Sequence, residues 1–312
     1  MGAPVSLREL PGPDAPPLGP WAGSLLDAGT GARVFVRRVP DSTGAEPAVF
    51  VHGLGGAATN WTDLAWLLAD VVDGYAVDLP GFGYSEPAAD GRYRLDAHVD
   101  AVQGVIRRLE RGAVHLFGNS LGGAVAVRLA ADHPDLVRSL TLVSPALPDL
   151  TPWRLHDPRL LVLLTPGVRG IAQRRLSSVP AAARARRMLR LCYADPTRVH
   201  PDRVDQVIAE IERRDRVSWA NRALLGSLDG LARANLEPGS RSLWRQAAAL
   251  EVPTLLLWGR KDRLVNVAVG HRAHRRIRGS KLVIYPDCGH VAQLEAPERV
   301  AAEAWRHVTA AR

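Results

Sequence analysis

The sequence predicts an α/β fold: a mostly parallel sheet covered by helices on both faces, with a helical insertion. Three observations predict it. Short apolar, β-branched runs alternate with longer amphipathic stretches through most of the 312 residues. The apolar runs are nearly continuous, as in strands buried on both faces. The rhythm then stops after Pro145 and resumes at Val252, so an inserted segment divides one core into two halves.

Taken in order, residues 1–20 are proline-rich, lack an apolar signal-peptide core and read as a flexible lead-in. The core is expected over 21–148 and 247–312. Its strands are predicted at 33–39, 48–51, 75–79, 114–117, 140–143, 254–258 and 281–285. Its helices are predicted at 61–69, 95–109, 121–131, 267–276 and 297–310. Between the halves, 149–246 shows no strand pattern. Helix-like, arginine-rich pieces are punctuated there by Pro152, Pro158, Pro166, Pro180, Pro196 and Pro201. This segment is expected to form a cap or lid. In a parallel sheet the strand-to-helix loops share one edge, which is where such folds place their sites.

Composition narrows the function. The chain is 46% hydrophobic and 23% charged, ordinary for a globular protein. No apolar stretch reaches the roughly 18 residues that a bilayer span needs. Cys192 and Cys288 are too few for a disulfide framework, so a cytoplasmic protein is expected. No His, Cys or carboxylate cluster has metal-ligand spacing, and no metal or cofactor is expected.

The formal charge is +8, and Lys261 and Lys281 are the only lysines. Codon bias accounts for arginine in place of lysine, but not for its placement. Residues 149–246 hold 18 Arg against 10 Asp plus Glu, while the rest of the chain is balanced at 22 and 22. The insertion also carries the apolar run 160–164 and clustered arginines, Arg174-Arg175 and those from Arg184 to Arg190. An apolar pocket wall would suit an acyl chain, and a basic outer face would suit an anionic membrane surface or an acidic carrier. The plainer account is an apolar stripe packed on the core with solvated arginines outside. Nucleic acid is not expected, because no binding motif is present and aromatics make up only 5% of the chain.

The chemistry centres on Ser120, in Gly118-Asn119-Ser120-Leu121-Gly122-Gly123, between a predicted strand and a predicted helix. A G-x-S-x-G pattern there puts the serine on a sharp turn with its hydroxyl over the sheet end. A serine needs a base, an acid that orients the base, and donors for the oxyanion. His290, after the last strand in Gly289-His290, is the candidate base. His133, His271 and His274 read as surface residues. Asp262, in the loop after the preceding strand, is the candidate acid, with Asp149 as the alternative. The Leu121 amide and the Leu54 amide, in His52-Gly53-Leu54-Gly55-Gly56, are the candidate oxyanion donors. That glycine-rich loop is no phosphate loop, since G-K-[ST] and G-x-G-x-x-G are both absent. His52, Asn119, Trp153 and Val291 are candidates for the substrate pocket. Trp61 and Trp66 read as packing aromatics, and Cys288 as a small buried residue.

These pieces resemble the α/β-hydrolase superfamily in its cap-bearing subgroup. The matching motifs are HGLGG at 52–56, DLPGFGYSEP at 78–87, GNSLGG at 118–123, WGRKDRLV at 258–265 and GH at 289–290. The resemblance implies Ser120 as nucleophile, His290 as base, Asp262 as acid and a cap that selects substrate. Members that open epoxides or cut carbon–halogen bonds carry an aspartate at the elbow, so Ser120 sets those chemistries aside. The first expectation is a carboxylesterase or lipase-like hydrolase acting on a small or lipid-like ester through an acyl-enzyme. Asn119 with Gly122-Gly123 also resembles hydrolases that cleave carbon–carbon bonds of vinylogous diketones. Those members carry a tryptophan after the histidine and a G-P-G-A-type oxyanion loop, where this chain has Val291 and Gly-Gly-Ala-Ala. A non-catalytic ligand-binding protein of the same fold is the alternative outside enzymes. Peripheral membrane association would follow from the basic face.

Overall fold

The structure, a computed structural model, describes residues 7–10, 18–149 and 179–311. Its strands are β1 (Gly23–Asp27), β2 (Arg33–Arg38), β3 (Glu46–Val51), β4 (Val72–Val77), β5 (Val114–Asn119), β6 (Val137–Val143), β7 (Thr254–Gly259) and β8 (Lys281–Tyr285). They form one sheet in the order β1-β2-β4-β3-β5-β6-β7-β8. From β4 to β8 every neighbouring pair is parallel, while β1–β2 and β2–β4 are antiparallel. The chain runs outward from β3 to β4 and then returns to β5. The order therefore reverses between β3 and β5, where parallel sheets open a crevice beyond their carboxyl ends.

Side-chain alternation along the buried strands feeds two cores. Val49 and Val51 of β3, with Leu256 and Trp258 of β7, pack on one face against α2 (Leu95–Leu109), α3 (Leu121–Asp132) and α8 (Val267–Arg276). Phe50, Phe117, Leu255 and Leu257 pack on the other, against α1 (Thr62–Leu67), α9 (Ala292–Glu295) and α10 (Pro297–Ala310). Phe50 and Phe117 sit opposite each other in the β3–β5 register, with ring centroids 4.5 Å apart.

Three differences from the sequence expectation have physical causes. The edge strand β1 was not anticipated, because its short GSLLD run is mostly exposed. Strand β4 begins at Val72, since Asp73, which with Gly74 imitates a turn, is neutralised by Arg38 at 2.8 Å and Arg111 at 3.3 Å. Strand β6 begins at Val137, since the buried Ser139 hydroxyl meets His115 Nδ1 at 2.8 Å. Within the expected lead-in, residues 7–10 contact the core. Arg8 pairs with Asp70 at 2.7 Å and lies over the Trp66 ring, and Trp66 Nε1 donates to Glu9 O.

Between β6 and β7 the described residues form α4 (Ala181–Cys192), α5 (Pro201–Asp215), α6 (Ala220–Ala234) and α7 (Leu243–Ala248). Helix α7 straddles the expected boundary at 246/247, and its Leu243, Trp244 and Ala247 belong to the core. Helix α6 lies against the core through Ala223, Gly226, Ser227, Gly230 and Ala234, spaced three or four apart on one face. A Cβ on Gly230 would stand 2.4 Å from Tyr93 O, a contact with backbone that cannot swing away. Beside it the Ser227 hydroxyl meets the buried His98 Nε2 at 2.9 Å. Gly230→Leu is expected to destabilise the protein by about 1–3 kcal/mol through overpacking. Chemical unfolding would check the size, and faster proteolysis within 179–242 would locate the effect.

Candidate active site

Ser120 occupies the turn from β5 into α3 with φ +54° and ψ −116°, a conformation that L residues rarely adopt. The surrounding backbone over-determines it. Ser120 N–H donates to Val143 O at 3.1 Å, and Ser120 O accepts from Ala124 at 3.1 Å and Ala146 at 2.9 Å. A Cβ on Gly118 would stand 2.4 Å from Gly122 O, and one on Gly122 would stand 2.2 Å from Val51 O. Both positions must therefore lack side chains for strand and helix to meet at this angle. Among the described residues, Ser120 Oγ makes no hydrogen bond. The sequence-predicted serine and histidine are thus not hydrogen-bonded to each other, a looseness common in such pairs.

His290 and Asp262 are brought together. Asp262 Oδ2 accepts from His290 Nδ1 at 2.9 Å, and both groups are buried. Asp262 Oδ1 accepts from the Leu264 and Val265 amides at 2.8 and 2.9 Å. Burial pushes the Asp262 carboxyl up, but His290 and the two amides outweigh it and leave its pKa below the ordinary carboxylate value. An ionised Asp262 fixes the proton on Nδ1 and leaves Nε2 as the basic ring nitrogen. The alternative acid, Asp149, is exposed at the end of the described run.

The loop after β3 turns at Gly53–Gly56, closed by Gly56 N–H to Gly53 O at 3.0 Å with Gly55 at φ +74°. Gly53 lies close against the elbow, where an added Cβ would stand 3.1 Å from Ser120 Cβ. Among the described residues, neither the Leu54 nor the Leu121 amide has a hydrogen-bond acceptor. Leu121 is the first residue of α3, so its N–H is one of the unpaired donors at the helix N-terminus. Unpaired amides next to the serine and next to Gly53, which lies against it, are the kind of donor that a developing oxyanion needs.

Of the predicted pocket residues, His52 and Asn119 are both hydrogen-bonded to backbone. Leu79 N–H donates to His52 Nε2 at 3.0 Å, so its proton is on Nδ1, which donates to Gly53 O at 2.7 Å. Both ring nitrogens are thereby used, and burial lowers the His52 pKa and keeps the ring neutral. Asn119 Nδ2 donates to Val143 O at 2.9 Å and His290 O at 3.2 Å, tying the elbow to the histidine loop. Val291 is buried beside His290. Trp153, the apolar run 160–164 and Arg174-Arg175 lie outside the described residues.

Sequence reasoning missed the residues that brace these loops. Asp78 accepts from Ala58 N at 2.6 Å and Tyr84 N at 2.9 Å, which gives the Asp-Leu-Pro-Gly motif its purpose. Glu295 accepts from Gly289 N at 2.6 Å and Ala194 N at 2.7 Å, and His290 N donates to Cys192 O at 2.7 Å. The helical insertion is thus bonded directly to the histidine loop. Cys288, read as a small buried residue, is buried, and its thiol is pushed up to about 12 by desolvation. No group of His, Cys, Asp and Glu among the described residues is arranged to hold a metal ion.

A family model described as "alpha/beta hydrolase fold" matches residues 47–297. A 2-hydroxy-6-oxononadienedioate/2-hydroxy-6-oxononatrienedioate hydrolase from Cupriavidus pinatubonensis is 30% identical over 260 residues, covering 81% of this chain and 83% of that protein. A 2-hydroxymuconate semialdehyde hydrolase from a Pseudomonas species is 28% identical over 264 residues, covering 84% and 86%. Among solved structures, an esterase from Exiguobacterium antarcticum superposes with a TM-score of 0.73 at 20% identity, covering 92% of this chain and all of that one.

Proposed function

Because this chain belongs to the alpha/beta hydrolase family, we propose that it is a serine hydrolase that cleaves a carboxylic ester with an apolar acyl part. One observation carries the proposal: a strained serine elbow, a buried His290–Asp262 pair and two unpaired amides converge at the carboxyl edge of the sheet. Ser120 Oγ adds to the ester carbonyl while His290 Nε2 takes its proton. The oxyanion is received by the Leu54 and Leu121 amides. Collapse breaks the acyl C–O bond, and the alcohol leaves with the proton held by His290. Water, deprotonated by His290, adds to the acyl-enzyme and releases the acid and free Ser120. Helices α4 to α6 act as the cap.

Hydrolysis of a carbon–carbon bond in a vinylogous diketone is the second reading, favoured by the names of the relatives that are 30% and 28% identical. It uses the same serine but needs polar groups for a dienol and its carboxylates. Val291, next to the histidine, offers none. Short- and medium-chain p-nitrophenyl esters set against a conjugated dienol substrate separate the two. Ester turnover by wild type, lost in Ser120→Ala, supports the first. Loss of dienol absorbance without ester turnover supports the second. Tight ligand binding without labelling by a fluorophosphonate would favour a non-catalytic protein.

The anionic-surface role is a separate proposal. Several arginines of the insertion are engaged internally: Arg184 with Asp215, Arg203 with Asp63, and Arg213 with Glu210. Arg186, Arg190, Arg216, Arg222 and Arg233 are exposed. Binding to anionic vesicles is expected at low salt and should fade as the screening length falls below about 10 Å. No binding at low salt would end this proposal.

A further inference from the structure

Arg214, near the end of α5, is the cation that the ion pairs around it leave out. Glu210 engages Arg213 through both oxygens at 2.7 and 2.8 Å, and Asp215 engages Arg184. Arg213 also lies over the Tyr84 ring, 4.7 Å from its centroid. Among the described residues, no carboxylate lies within ion-pair distance of Arg214. Its Nη1 donates instead to Gly55 O at 2.8 Å. A guanidinium stays charged under all ordinary conditions, and desolvation is the largest influence on this one. A half-buried cation without a carboxylate partner is a poor way to stabilise a fold.

The acceptor explains the arrangement. Gly55 O belongs to the Gly53–Gly56 turn, whose Leu54 amide is unpaired and whose Gly53 sits against Ser120. The backbone of this turn can rotate, because Gly53, Gly55 and Gly56 have no side chains to restrain it. Gly56 N–H closes the turn on Gly53 O, which also accepts from His52 Nδ1 at 2.7 Å, but neither bond holds the Gly55 carbonyl. Arg214 supplies a charge-assisted bond from outside, carried by a helix of the insertion. Rotating the Gly55 carbonyl away would break that bond and pull the Gly56 N–H of the same peptide off Gly53 O, whose own peptide carries the Leu54 amide.

We propose that Arg214 is a positioning residue: it locks the turn so that the Leu54 amide is aimed at the oxyanion, and it couples seating of the helical insertion to assembly of the oxyanion hole. The proposal rests on the acyl-transfer reading, and two measurements keep the two apart. The first needs no activity. In the full-length protein, amide hydrogen exchange over residues 53–60 is expected to quicken in Arg214→Met, with α3 and β5 unchanged. Equal exchange in variant and wild type would overturn the positioning role.

The second measurement is the rate at which a fluorophosphonate labels Ser120, together with ester kinetics. Labelling and kcat are expected to fall about tenfold to thirtyfold in Arg214→Met, with KM within about threefold, because an oxyanion donor acts on the transition state. Arg214→Lys, which keeps the charge but not the planar fork, should recover part of the loss. A rise in KM with kcat and labelling unchanged would mark Arg214 as a mere stitch between insertion and core. Wild type that resists the probe would overturn the acyl-transfer reading, and exchange would then decide the role of Arg214 alone.

Discussion

Ser120→Ala is expected to lower kcat by about 10⁶-fold on any ester that wild type turns over, with KM little changed. The loss is that large because the hydroxyl is the atom that forms the acyl bond, and the nearest substitute is water without a covalent intermediate. It is not total. The Leu54 and Leu121 amides remain, and an oxyanion hole with substrate binding alone leaves about 10³–10⁴ over the uncatalysed rate. The residues act as a unit, so Ser120→Ala combined with His290→Ala should be no slower than Ser120→Ala alone. Folding should be nearly unaffected. Alanine keeps the Cβ that makes φ +54° unfavourable, and the bonds that hold the turn are all backbone. Steady-state kinetics with a parallel melting curve checks both halves. A variant that stays fully folded and retains more than about a hundredth of wild-type kcat would remove Ser120 from the chemistry.

Much of this site is legible in the sequence because its parts are local. The elbow, the His52-Gly53 loop and Gly289-His290 each fit within a few residues, since each is one tight turn at a strand end. Glycine is needed where backbones approach within van der Waals contact, so Gly118 and Gly122 are readable without a structure. The braces are not legible. Glu295 joins Gly289 to Ala194, 101 positions away, and Arg214 reaches Gly55 across 159. Neither has a pattern of its own. Arg214 is one of 18 arginines in its segment, and only its bond to the Gly55 carbonyl sets it apart. His52 has a role that its motif does not announce. Its position beside the oxyanion loop suggested substrate contact, but a histidine there is as useful as a two-ended backbone tie. The strand ends at Asp73 and Ser139 were missed for one reason: each polar residue has a distant partner that makes burial tolerable.

Asp262→Asn should lower kcat about 10⁴-fold while leaving the architecture in place. The hydrogen bonds dictate the mechanism of the loss. Asp262 Oδ1 accepts from two backbone amides, Leu264 and Val265. In the asparagine variant only the amide oxygen can do this, since turning NH₂ toward two N–H donors would leave all of them unsatisfied. The NH₂ group must then face His290 Nδ1, now at 2.9 Å from Oδ2 in the wild type. Nδ1 becomes an acceptor, the proton moves to Nε2, and the ring nitrogen required as the base is already protonated. The same carboxylate has a signature in stability. Its pKa is below the ordinary value in the folded protein, so its contribution is complete above about pH 3.9 and is lost as pH falls through the folded value. Asparagine has no such titration. The stability gap between wild type and Asp262→Asn, measured by urea unfolding, should therefore be constant from pH 7 to about pH 5 and narrow below pH 4. A gap that widens toward acid would mean that Asp262 is protonated in the native state and does not hold His290 as an ionised partner.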